Sequence, residues 1–83
     1  MLYLLRALSR RYDSLMKFRI EVEREEDGRW IAEIPDLPGV MCYGETKDRA
    51  LAKVTGLALH VIADRIEHGE LKETPDSFVF EAA

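Results

Sequence analysis

The alternation of apolar and polar residues predicts the strands of this chain. In residues 17–24 the apolar positions Phe18, Ile20 and Val22 alternate with charged residues, which is typical of a strand with one buried face. Residues 29–34 alternate in the same way except at Ile31, and residues 40–43 are apolar on both faces. The pattern predicts three consecutive strands and indicates that the second face of their sheet is partly covered.

The connections between these segments contain strong turn residues. Asp27-Gly28 predicts a hairpin, because such turns need positive φ angles. The second and third segments are joined by Pro35, Asp36, Leu37, Pro38 and Gly39. The prolines have fixed φ angles, Asp36 favours an Asx turn, and Gly39 can take a positive φ. We therefore expect a rigid corner that exposes Leu37.

Residues 47–68 have a broad apolar face at helical spacing. Thr46 is the expected N-cap and Gly69 the expected stop, which predicts a helix roughly 33 Å long. Gly56 should cost about 1 kcal/mol relative to alanine. We expect a close approach of helix and sheet to offset that cost.

Residues 77–81 complete the predicted fold as a short final strand. A return through the helix predicts that this strand runs parallel to the first. The fold class is therefore α+β, in the order β-β-β-α-β. It consists of a three-stranded antiparallel sheet, one long helix packed on one face, and the final strand.

Residues 1–15 have apolar positions at helical spacing and predict an N-terminal helical extension, followed by a single domain over residues 16–83. Two interpretations of the extension stay open. It is a helix laid on the domain or on another subunit, or it is a segment translated upstream of a native start at Met16.

The charge and the cysteine content narrow the classes of function. The net charge of −4 is unevenly spread, because residues 1–15 carry three arginines against one aspartate. The remaining acidic body disfavours direct contact with nucleic acid and favours a basic protein partner. One cysteine, Cys42, predicts a reducing cytoplasm. Together with the two histidines it has no zinc-ligand spacing, and we expect neither metal nor cofactor.

The motif around the corner resembles the amino-terminal domain of HicB-type antitoxins. It is carried by Asp27, Gly28, Trp30, residues 32–39, residues 44–46 and Ala50. The resemblance extends from about Met16 to Gly69 and implies a truncated ribonuclease H-like fold. It also implies a non-catalytic protein that occludes a small basic HicA-like toxin, which cleaves mRNA. Complete members usually carry a C-terminal DNA-binding domain, for which the chain leaves no room before Ala83, so operator binding is not expected.

The candidate partner-binding residues are Trp30, Pro35, Asp36, Leu37, Pro38, Gly39 and Tyr43. Leu37 is the expected apolar anchor, beside Asp36 as a contact for a basic group. Trp30 and Tyr43 are large aromatic residues on adjoining strands. They either fill the core or bind a partner, since aromatic residues are common interface anchors.

Two alternatives to the antitoxin function remain. The first is a solitary HicB-like module that forms homo-oligomers, a dimer or larger, and has a partner other than a toxin. The apolar second face around Ile31 favours self-association. The second is a degenerate ribonuclease H-like nuclease, which needs three or four converging carboxylates. We expect no catalytic residues, because Glu21 and Glu23 should point outward and Asp64 should lie in the solvent-facing part of the helix.

Overall fold

A computed structural model describes residues 15–71 and 73–82, which form four strands and one helix. The elements are β1 (Leu15–Arg24), β2 (Trp30–Glu33), β3 (Met41–Gly44), α1 (Lys47–Glu67) and β4 (Ser77–Ala82). The predicted N-terminal extension lies outside the described residues except for Leu15. That residue belongs to β1 and not to a helix, because it pairs with Ser77 of β4.

The strands form one mixed sheet in the order β3-β2-β1-β4. The β1–β2 and β2–β3 pairs are antiparallel, and β4 is parallel to β1 as predicted. The first half of β1 pairs with β4 and its second half pairs with β2. This division of β1 explains its length of ten residues. The predicted α+β class and element order are confirmed.

The core lies between α1 and one side of the sheet, here called the covered face. Phe18 of β1 stacks on Phe80 of β4 with ring centroids 5.5 Å apart. Within residues 15–71 and 73–82, no polar or charged residue is buried. The buried apolar residues are Phe18, Ile20, Ala32, Ile34, Leu37, Val40, Ala50, Val54, Ala58 and Ile62.

The helix buries a narrower stripe than its sequence predicts. Its fully buried residues, Ala50, Val54, Ala58 and Ile62, follow one another at intervals of four. Other residues of the predicted apolar face are only half-buried and pack along the flanks of the stripe: Leu51, Leu57, Val61 and Ile66. A single helix touches a sheet of short strands along one line, so the flanks of its apolar face stay partly in solvent.

Both ends of α1 are capped as predicted. At the N-terminus, the Thr46 hydroxyl oxygen accepts a hydrogen bond from the Arg49 backbone N–H at 3.1 Å. At the C-terminus, His68 is the C-cap and Gly69 has a φ of 66°. Along the described chain, α1 included, no helix has the length and hydropathy needed to cross a membrane.

The close approach of helix and sheet occurs at Gly44 and not at Gly56. A Cβ atom added to Gly44 would lie 2.4 Å from the Ala50 nitrogen and 2.9 Å from its Cα. One added to Gly56 would meet nothing within 4 Å. The expectation for Gly56 is therefore wrong, because that residue does not face the sheet. The absence of a side chain is needed where β3 passes under the first turn of α1.

The hairpin between β1 and β2 also differs in detail from its prediction. Only Gly28 has a positive φ, of 90°, whereas Asp27 does not. The Gly28 N–H donates to the Glu25 carbonyl at 2.9 Å, and the Glu25 N–H donates to the Arg29 carbonyl at 2.7 Å. The Asp27 carboxylate accepts a hydrogen bond from the Arg29 backbone N–H. This bond has the largest effect in lowering the pKa of Asp27, and the hydrogen bond from the Arg29 guanidinium has the next largest. The side chain of Asp27 thus stabilises the turn without a positive φ.

Candidate functional site

The side of the sheet opposite α1, here called the open face, carries the candidate site. Period-two alternation places charged residues of β1 and β2 beside apolar residues of β3 on this face. Met41 is 46% exposed and Tyr43 is 38% exposed. The open face consists of Lys17, Arg19, Glu21, Glu23, Ile31, Glu33, Met41, Tyr43, Val79 and Glu81.

Four glutamates gather on the open face around Ile31, and together these five residues are here called the acidic patch. The strand register places Glu21 opposite Glu33 and Glu23 opposite Ile31. Glu25 joins them at the rim of a shallow pocket of about 370 Å³. Like charges directly opposite each other destabilise a sheet. A cation bound between these carboxylates would relieve that repulsion.

The cations near the open face are already paired with other acids. The ion pairs are Lys17 with Glu81 (3.3 Å), Arg19 with Glu21 (3.0 Å) and Arg29 with Asp27 (2.7 Å). The Arg29 guanidinium also lies over the Tyr43 ring, 4.2 Å from its centroid. Among the residues that the structure describes, neither Glu23 nor Glu33 has an ion-pair partner. The acidic charges of the open face are therefore neutralised by cations along its β4 side, whereas the acidic patch keeps a negative charge.

The corner at residues 35–39 is closed by its backbone. The Leu37 N–H donates to the Ile34 carbonyl at 2.9 Å, and the Val40 N–H donates to the Leu37 carbonyl at 3.0 Å. Gly39 has the predicted positive φ, of 85°. The side chain of Asp36 is exposed, and the hydrogen bonds that close the corner join backbone atoms rather than its carboxylate. Backbone hydrogen bonds close the corner in place of the expected Asx turn.

Leu37 is buried, so the predicted exposed anchor is wrong. Its side chain is only 3% exposed and lines a pocket of about 290 Å³ with Met16, Phe18 and Ile62. The reason is the difference in strand length. β2 ends at Glu33 while β1 reaches back to Leu15, so the corner runs beside the first half of β1 and Leu37 closes the core there. Exposed corner residues remain at Pro35, Asp36, Pro38 and Gly39.

Two curated proteins align with most of this domain. A UPF0150 protein of Thermoplasma acidophilum is 31% identical over 55 residues, which cover 66% of this chain and 80% of the relative. A UPF0150 protein of Archaeoglobus fulgidus is 32% identical over 57 residues, which cover 66% of this chain and 83% of that relative. The chain belongs to the UPF0150 family. No family model matches the chain, and no solved structure matches it.

The two aromatic candidates of this UPF0150 domain lie on opposite faces of the sheet. Trp30 is half-buried on the covered face, with the Arg24 guanidinium 6.0 Å from its ring centroid. Tyr43 is exposed on the open face. Only Tyr43 therefore joins the acidic patch on one surface. Cys42, its neighbour in β3, packs half-buried against the core.

A second group of polar side chains lies at the C-terminal end of α1. Ligand atoms of Asp64, His68 and Glu70 lie within 4.8 Å of one another, and all three residues are exposed. The His68 Nδ1 donates to the Asp64 backbone carbonyl at 2.7 Å, which closes the last helical turn. This hydrogen bond, and then the Asp64 charge, raise the pKa of His68. The arrangement is that of a helix cap.

The carboxylates considered for a nuclease do not come together in this UPF0150 domain. Glu21 and Glu23 lie on the open face. Asp64 lies on α1, which packs against the covered face. Register, rather than the spacing of acids along β1, creates the acidic patch. Glu33 and Met41 were not among the predicted site residues, because their neighbours on the sheet are distant in the chain.

Proposed function

We propose that this domain is a non-catalytic protein-binding module of the HicB-like antitoxin type, which occludes a small basic HicA-like mRNA-cleaving toxin. The supporting observation is the acidic patch, in which Glu23 and Glu33 lack ion-pair partners within the described residues. A protein that binds RNA needs cationic side chains to contact phosphates. The acidic patch is complementary to such a surface.

Charge and apolar contact have different roles in this proposal. Complementary charge accelerates encounter and sets orientation, but it does not by itself hold a partner. Ile31, Met41 and Tyr43 supply apolar area beside the carboxylates, and tyrosine is a frequent anchor at interfaces. These residues take the place of Leu37 as anchors. Occlusion follows because the cations that bind RNA are covered by carboxylates.

The test is co-expression with a small basic protein that is encoded by a gene adjacent to this one. Growth of the cells and a pull-down of the partner are measured. Wild type is expected to restore growth and to co-purify with the partner, and its association rate should fall as salt rises. A Glu23→Lys, Glu33→Lys double variant should lose both properties. The matched control is Glu67→Lys, Glu70→Lys, which changes the net charge equally at exposed positions near the end of α1. A neighbour without toxicity, or equal behaviour of the two double variants, would reject the proposal.

The second candidate is the solitary homo-oligomeric module with a partner other than a toxin. The exposed side chains of Met41 and Tyr43 favour it, because apolar area of this kind is usually buried against another surface. Sedimentation of the isolated chain at micromolar concentration should show at least a dimer. A monomer at every concentration would remove this candidate. In both candidates the acidic patch disfavours direct contact with nucleic acid.

A further inference from the structure

The strand β3 is a short edge strand of the sheet that, in the described part of the chain, has no covering segment. Natural sheets protect their edges with short strands, charges, prolines, bulges or a covering segment, and β3 has only the first of the sequence-encoded devices. The sequence of β3 is Met-Cys-Tyr-Gly, which contains neither a charged residue nor a proline. The other edge strand, β4, carries Glu81, which pairs with Lys17. The two edges of the sheet thus differ in how readily they accept another strand.

Two residues of β3 have backbone N–H and C=O groups that point outward from this edge. The Ile34 N–H donates to the Val40 carbonyl at 3.1 Å, so the Val40 carbonyl points toward β2. The direction of the backbone N–H and C=O groups alternates along a strand. Those of Cys42 therefore also point toward β2, while those of Met41 and Tyr43 point away from it. In the part of the chain that the structure describes, no turn or loop hydrogen bond engages the backbone of Met41 or Tyr43.

We infer that β3 pairs antiparallel with β3 of a second copy of this chain, which joins the two sheets across a two-fold axis. In one register the outward N–H and C=O groups of Met41 and Tyr43 all form hydrogen bonds. This register places Met41 opposite the partner's Tyr43, and Tyr43 opposite the partner's Met41. A shift of two residues would place Tyr43 opposite the partner's Gly39, whose φ of 85° is not extended. A shift the other way would place Met41 opposite the partner's Glu45, which lies beyond the strand.

A second copy fits this edge for reasons of charge and side-chain chemistry. Each chain carries a net charge of −4, so two copies repel each other over most of their surface. They would meet along a strand without charge, and the acidic patch lies on β1, β2 and their hairpin rather than on the seam. On the open face, each Met41 would lie beside the partner's Tyr43, and thioether–aromatic contacts of this kind are favourable. Both open faces would then lie on the same side of one continuous sheet.

A disulfide between the two Cys42 residues would identify this register. Cys42 would face the partner's Cys42 in a non-hydrogen-bonded pair, with Cα atoms about 4.5 Å apart. That separation lies within the range of about 4.4–6.8 Å that disulfides span. Diamide, which takes up the two electrons and two protons of the thiols, should therefore yield a covalent dimer of twice the 9.6 kDa chain mass.

The decisive experiment is sedimentation of two double variants of the full chain under reducing conditions. Met41→Lys with Tyr43→Lys places like charges opposite each other across the seam and should weaken dimerisation by about tenfold. Met41→Lys with Tyr43→Glu places opposite charges there and should keep the dimer. Since Met41 and Tyr43 are exposed, both variants should fold, which circular dichroism checks. A third variant, Val79→Lys, changes the open face on β4, at the opposite edge of the sheet, and should leave the dimer intact.

Several results would overturn the inference. These are a monomeric wild type, equal dimerisation of the two double variants, loss of the dimer in Val79→Lys, or a wild-type dimer that diamide does not cross-link. None of these results depends on toxin binding, which the Glu23 and Glu33 variants test separately. A failure of the dimer and a failure of the toxin-binding function can therefore be told apart.

Discussion

The two faces of the sheet are built on different chemistry. The covered face holds the apolar core, and none of its described residues is a buried polar group. The open face alternates acids and cations with a few exposed apolar side chains, and no described element packs over it. Burial of apolar area is the main favourable term in folding. Stability therefore comes chiefly from the covered face, which leaves the open face available for binding.

The largest effect is expected where α1 meets β3 on the covered face. Gly44→Ala would place a Cβ 2.4 Å from the Ala50 backbone nitrogen. Neither backbone can yield easily, so we expect a loss of about 3 kcal/mol or more in the free energy of unfolding. Urea unfolding measures this loss. The matched control, Gly56→Ala, meets nothing within 4 Å and should stabilise the helix by up to about 1 kcal/mol. Equal effects of the two changes would show that helix and sheet are not in close contact at Gly44.

The second largest effect should come from the corner that closes the core. Leu37→Ala removes a side chain that is 3% exposed and should cost about 2–3 kcal/mol through lost burial and a residual cavity. Leu59→Ala makes the same chemical change on the outer side of α1, where the side chain is 49% exposed, and should cost far less. Thermal unfolding of both variants gives the comparison. If Leu37→Ala were as mild as Leu59→Ala, Leu37 would be exposed as its sequence suggested.

A smaller effect is expected from the backbone of the same corner. Gly39 has a φ of 85°, which a β-branched residue adopts only with strain, so Gly39→Val should cost about 2 kcal/mol. Asp36→Asn should change stability little, because the carboxylate is exposed and backbone bonds close the turn. The measurement is the difference in melting temperature between the two variants. Identical melting temperatures would mean that residue 39 tolerates a side chain in this conformation.

The smallest effect concerns pH at the end of α1. The hydrogen bond to the Asp64 carbonyl, and then the Asp64 charge, raise the pKa of His68 above its ordinary value of 6.5. A raised pKa in the folded state means that protonated His68 stabilises the fold fully below pH 6.5. That contribution is lost as the pH rises through the folded-state pKa. His68→Gln should therefore lower the melting temperature more at pH 5.5 than at pH 8.5. NMR titration of His68 gives its pKa directly, and a value at or below 6.5 would contradict the prediction.

Interactions close in the chain were predictable from the sequence. The alternation in β1 predicted its buried face, Thr46 and Gly69 predicted the ends of α1, and Gly39 predicted its own positive φ. Each of these features depends on a residue and a few neighbours, so the chemistry that decides it is present in a short segment. The order of the elements and the parallel return of β4 followed from the same local patterns together with the handedness of crossovers.

Only the tertiary structure decided which distant residues meet. Glu21 and Glu33 oppose each other because of the β1–β2 register, and no local pattern places them together. Leu37 is buried because β1 extends past the end of β2, and Gly44 must lack a side chain because α1 crosses β3 there. Register, strand length and helix position are properties of several segments at once. The sequence by itself thus determined the elements and their order, whereas packing between elements decided the composition of the open face.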